Sequence, residues 1–89
     1  MLIGGTNAPM RAAIAAALGE ATDLTVIAQE DLIPAGLRGI NPRNPVNTST
    51  YGGVQIEMSP EAREPEPLLQ LVKAVAGVLR SDEWTVPAP

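Results

Sequence analysis

The loop Asn41-Pro42-Arg43-Asn44-Pro45-Val46-Asn47 is soon followed by Gly52-Gly53-Val54-Gln55-Ile56-Glu57, and these two stretches carry the side chains best placed for chemistry. Alternation along Val54 to Met58 sets Val54, Ile56 and Met58 on one face of a strand and Gln55 with Glu57 on the other. Arg38, Arg43 and Arg63 put half of the chain's six basic residues around this motif, a local cationic character suited to an acidic ligand. Plainer roles fit the same residues. Half-exposed strands carry Gln and Glu outward as a matter of course, and Asn beside Pro, Thr or Ser commonly bonds its own backbone in a turn. Arg63 also lies within reach of Glu61 or Glu66 near a helix start. Spacing alone does not choose between a working surface and a scaffold.

Several chemistries are unavailable to these residues. The chain has no His and no Cys, so Ser49, Thr50 and Ser59 lack a base to activate them as nucleophiles. A hydrolytic zinc site needs about three His or carboxylate ligands and an open position for water. The ten acidic residues form no Asp-x-Asp-x-Asp-Gly loop for a harder cation, so no metal ligand is assigned. Disulfides and thiol redox chemistry are excluded with cysteine. A net charge of −4 argues against nucleic acid, whose phosphates require clustered Lys and Arg. No apolar run approaches the roughly 20 residues that span a bilayer, and no basic leader with a cleavable apolar region precedes Gly4. A soluble chain without a membrane partner is expected, and its compartment stays open.

The elements that must position the motif follow from periodicity. Leu2-Ile3 reads as a strand end, and Gly4-Gly5-Thr6-Asn7 as a tight turn with Thr6 or Asn7 capping a helix from Ala8 to Leu18. Gly4-Gly5 resembles an anion-binding turn at a helix start, but without the longer glycine patterns of nucleotide sites a plain turn is favoured. Met10, Ile14 and Leu18 form a narrow bulky stripe among alanines, and Gly19 is expected to end the helix. Leu24-Thr25-Val26-Ile27-Ala28 suits an interior strand. From Gln29 to Thr50 the chain reads as a long loop with one brief helical turn near Asp31 to Ala35, and loops of that length are usually functional. After a strand from Gly53 to Met58, Ser59-Pro60-Glu61-Ala62 begins a short helical turn. Pro65 and Pro67 then precede a helix from Leu68 to Arg80. Its expected packing face is Leu68, Leu69, Leu71, Val72, Val75, Ala76 and Leu79.

The order β, α, β, loop, β, α implies a small layered α/β fold, with helices covering a short mixed or parallel sheet. A single domain over 1–82 with a loosely held tail over 83–89 fits the 89-residue length. Aromatics are nearly absent, with one Trp, one Tyr and no Phe, so the core is aliphatic and stability is expected to be thin. A dimer or a marginal monomer is the expected state.

Gly39, Pro42, Asn44, Val46, Asn47, the run Gly53-Val54-Gln55-Ile56-Glu57 and Arg63, after the early pair Gly4-Gly5, resemble in order and spacing the C-terminal half of the poly-gamma-glutamate hydrolase family. The resemblance extends from about Ile3 to Arg80. It implies a partial carboxypeptidase-like core and a zinc-dependent γ-glutamyl amidase whose metal ligands lie upstream of the matched region. It further implies that Glu57 is the general base, that Asn44 and Asn47 hold the substrate, and that Arg63 stands at the family's arginine, while Arg43 joins it only as a neighbouring cation suited to substrate carboxylates. Thr48 stands where the family shows Arg, which removes a charged fork for a polyanion. Met1 opening directly into a strand suits a portion of a longer family domain. Two roles follow. One is a C-terminal portion of a zinc amidase, inactive alone and completed by a complementary N-terminal half. The other is a non-catalytic interaction domain for an acidic peptide, with self-association possible in either case.

Overall fold

The computed structural model describes residues 1–81 and shows two helices against a minimal sheet, a small α/β fold. Strand β1 (Leu2–Gly4) pairs antiparallel with β2 (Gln55–Glu57), placing Leu2 opposite Glu57, Ile3 opposite Ile56 and Gly4 opposite Gln55. On the other side of β1, a single parallel bridge joins Leu2 to Ile27. It is held by Ile3 N donating to Ile27 O at 2.8 Å and Ile27 N donating to Met1 O at 2.9 Å. The sheet is therefore two-stranded and antiparallel, not the mixed or parallel sheet expected, with one parallel bridge beside it. The expected strand from Leu24 to Ala28 shrinks to this bridge because β1 offers so little backbone to pair with. Leu24, Val26 and Ala28 still pack against the core. The expected tail, 83–89, lies outside the described residues.

Helix α1 (Ala8–Ala21) begins where Asn7 Oδ1 accepts a hydrogen bond from Met10 N at 3.1 Å, with Pro9 in the first turn where no N–H partner is needed. Gly19 does not end it. The helix continues to Ala21, and the Leu18 carbonyl accepts from both the Thr22 N–H and the Thr22 hydroxyl, which closes the last turn. Helix α2 (Pro65–Arg80) starts earlier than expected, since Pro65 and Pro67 both sit in the first turn, whose N–H groups lack intrahelical partners in any helix.

Ile3, Ile14 and Leu18 from the first half meet Ala62, Leu71 and Val78 from the second in one buried cluster, with Val54, Ile56 and Met58 against it. Burial of each large aliphatic side chain is worth about 1.5–3 kcal/mol, so this aliphatic seam between α1, α2 and the sheet carries most of the stability. It also fixes the sheet: a one-residue slip of β2 would turn Val54, Ile56 and Met58 outward. The apolar face expected on α2 is only partly covered. Of that face only Leu71 is buried, beside Val78, which was not expected on it, whereas Leu69, Val72 and Leu79 remain 55%, 53% and 51% exposed, because so narrow a sheet does not reach the second half of the stripe. No described helix is long and apolar enough to cross a membrane.

Candidate functional site

The long segment after Gln29 is an ordered cover, built of 3₁₀ turns at Glu30–Leu32, Ala35–Leu37 and Pro45–Asn47. Asn47 binds it to the start of α1. Its Oδ1 accepts from Thr6 N at 3.0 Å and from Thr6 Oγ1 at 2.9 Å, while its Nδ2 donates to Gly39 O and, at 3.0 Å, to Asn41 O. Both amide protons and the carbonyl oxygen are thus engaged within the protein. Asn47→Ala is expected to lower stability by about 2 kcal/mol, several modest hydrogen bonds discounted because water reaches some of the partners. A shifted urea midpoint with an unchanged slope will show it. Asn47→Asp, which loses both donors and faces two carbonyls with a carboxylate, is expected to do no better.

Asn44 ties the same loop to β2. Its Oδ1 accepts from Val46 N at 3.1 Å, capping the turn Pro45–Asn47, and its Nδ2 donates to Gln55 Oε1 at 3.0 Å. Gln55 Nε2 in turn donates weakly to Leu37 O at 3.4 Å. Gly39 makes this closeness possible: its φ is +64°, and a Cβ there would lie 3.1 Å from Gln55 Oε1 and 3.2 Å from Gly5 N. The result is a concave surface of about 680 Å³ bordered by Gly39, Ile40, Asn41, Pro42, Asn44 and Gln55.

The side-chain alternation is as expected, although the strand itself spans only Gln55–Glu57 of the expected Gly53 to Met58. Val54, Ile56 and Met58 pack on the core, and Gln55 reaches the loop on the opposite face. Glu57 shares that face by the strand's two-residue period. It is half-buried, and its carboxylate takes no hydrogen bond or ion pair among the described residues. Arg43 lies in the loop, its backbone N donating to Asn41 Oδ1 at 2.9 Å; Arg63 ends the 3₁₀ turn Glu61–Arg63 beyond β2. Both guanidinium groups are exposed and unpaired among the described residues, so neither Glu61 nor Glu66 engages Arg63. The fold thus brings Asn44, Asn47 and Gln55 into one network with Arg43 on its loop. No hydrogen bond joins the Arg63 side chain to it.

Two residues were not singled out by sequence as site candidates, although Thr6 was a possible helix cap. Thr6 supplies both donors to Asn47 Oδ1, and its only sequence signal was its place in the turn. Arg11 has its Nε and Nη1 buried without a hydrogen-bond partner, with Glu30 Oε1 at 3.7 Å from Nη1. The signal for Arg11 was that it is the lone charge between Ala8 and Leu18. The Gly4-Gly5 turn is a tight turn whose donors are spoken for: Gly5 N bonds Arg38 O at 2.8 Å, Thr6 N bonds Asn47, and Asn7 N bonds Gly53 O at 3.2 Å. Among the described residues no group of three His, Cys, Asp or Glu side chains is arranged to hold a metal ion.

A family model described as Poly-gamma-glutamate hydrolase matches residues 1–67. The match takes in β1, α1, the loop, β2 and the turn at Arg63, and so every residue of the candidate site, but only the first residues of α2. No curated protein and no solved structure matches the chain.

Proposed function

The chain belongs to the poly-gamma-glutamate hydrolase family, and from that premise we propose that it is the C-terminal portion of a γ-glutamyl amidase with a carboxypeptidase-like core. It supplies a proton-transferring carboxylate and a substrate loop to a site whose metal-ligating part lies on another segment. The observation that carries this reading is Glu57, a half-buried carboxylate left unpaired on the polar face of β2. Gln55, on the same face, is hydrogen-bonded to the Asn44 loop.

In this reading Glu57 takes a proton from the attacking water as its oxygen bonds to the amide carbon, and returns it to the departing amine nitrogen as the C–N bond breaks. Arg43 and Arg63 attract the carboxylates that line a γ-linked glutamate chain. Asn47 acts by fixing the loop, and Asn44 keeps one N–H for a substrate oxygen. The residues present do not fit zinc: His and Cys are absent, and no acidic cluster replaces them among the described residues. The chain alone is therefore proposed to be inactive.

The test is complementation. Mixing the chain with a separately produced family segment that carries the metal ligands is expected to release glutamate from a γ-linked polymer, while either part alone does not. Failure of the mixture, together with calorimetric binding of a γ-linked glutamate oligomer to the chain alone, would favour the second reading. That second reading is a non-catalytic domain that binds acidic peptides, and it is supported by the two unpaired guanidinium groups.

A further inference from the structure

Among the described residues no strand pairs with the outer edge of β2, and its sequence is self-complementary. Ile3 directs its N–H toward Ile27, so on β1 it is Leu2 and Gly4 that bond β2. By antiparallel alternation, Gln55 and Glu57 then point their backbone groups at β1, and Ile56 points its N–H and C=O away from it. Val54 and Met58 likewise have no backbone hydrogen bond among the described residues. Neither proline nor lysine stands between Val54 and Met58, so the edge is protected only by its shortness and by the Glu57 charge.

We propose that this edge pairs with β2 of a second copy of the chain, antiparallel about a two-fold axis at Ile56, joining two small sheets into one. The choice of occupant rests on register. With Ile56 opposite Ile56, Val54 falls opposite Met58 and Gln55 opposite Glu57, so apolar side chains meet on the core face and an amide meets a carboxylate on the polar face. The Gln55–Glu57 pairs are the non-hydrogen-bonded ones, in which side chains lie closest, and Gln55 has an N–H to spare. Sliding the strands by two residues in one direction would set Glu57 against Glu57, which disfavours that alternative. In the dimer, each Glu57 carboxylate gains a neighbour from the other copy. The contact is small beside stable interfaces of about 1,200–2,000 Å², so the dimer is weak and concentration-dependent. Nothing in it requires the catalytic reading.

Sedimentation velocity from about 10 µM to 1 mM, with amide exchange at both ends of that range, tests the pairing. The expected result is a monomer–dimer equilibrium in which the Ile56 amide gains protection only at high concentration. Gln55→Glu sets like charges opposite each other twice per dimer and is expected to weaken association by about two- to thirtyfold. Gln55→Lys is expected to tighten it by a similar factor, and added salt to shrink both effects. A chain that stays monomeric throughout would overturn the proposal. So would a dimer whose Ile56 amide stays unprotected, which would move the contact to the exposed Leu69, Val72 and Leu79 stripe of α2, or two charge variants that shift association in the same direction. Because the exchange measurement uses the unaltered chain, it decides the question even if a variant fails to fold.

Discussion

Gly5→Ala is expected to destabilise the chain by about 3–5 kcal/mol, enough to leave a domain of this size largely unfolded. Gly5 has a φ of +107°, a backbone conformation that side-chain-bearing residues rarely adopt, and holding alanine there costs about 1–3 kcal/mol. Space makes matters worse. A Cβ at Gly5 would overlap Gly53 O and lie 2.8 Å from Val54 Cα. Those atoms belong to the backbone leading into β2, so relief would require moving the strand that carries Gln55 and Glu57. Two helical glycines provide the contrast. A methyl group on Gly19 or Gly77 would meet no neighbour within 4 Å, and alanine at either is expected to raise stability by about 0.5–1 kcal/mol. Thermal melts of the three variants should therefore move in opposite directions. A Gly5→Ala variant melting with the parent would show that the turn is not a keystone between α1 and β2.

That contrast shows how much the residues alone disclosed. Strong periodicity was legible: the stripe of Met10, Ile14 and Leu18 marked α1, and the alternation from Val54 to Met58 marked both faces of β2. Helix ends were less so, because they are decided by single hydrogen bonds. Gly19 looked like a stop, but Thr22 capping Leu18 twice outweighed it. Pro65 and Pro67 looked like an interruption, whereas a first turn accommodates both. Least legible was the segment after Gln29. Its composition suggested a loop, but its order comes from Asn47 and Asn44 reaching partners distant in sequence, Thr6 and Gln55, and no local pattern encodes such a partner. The unexpected exposure of Leu69, Val72 and Leu79 has the same origin, since the extent of a sheet is a property of the whole chain.

Within the complemented enzyme, Glu57→Gln is expected to reduce turnover by about 10²–10⁴-fold while leaving substrate affinity nearly unchanged. The substitution keeps the size and planarity of the side chain but removes the ability to take up a proton. It leaves in place the hydrogen bonds between Asn44 and Gln55 and between Asn47 and Thr6, none of which involves Glu57. Its backbone pairing with Leu2 does not depend on the side chain either. Folding should therefore survive, and a normal melt with lost turnover would place the defect in the chemistry. Asn47→Ala is the informative partner to this variant. There the loop is expected to loosen, so that stability falls and affinity weakens, while the proton-transferring carboxylate remains. If Glu57→Gln retained full turnover, the carboxylate would not be the base, and its unpaired state on β2 would be better explained by its facing Gln55 of a second copy. If Glu57→Gln and Asn47→Ala instead weakened affinity alike and left the maximal rate untouched, the polar face of β2 would be a surface that holds an acidic chain without cleaving it.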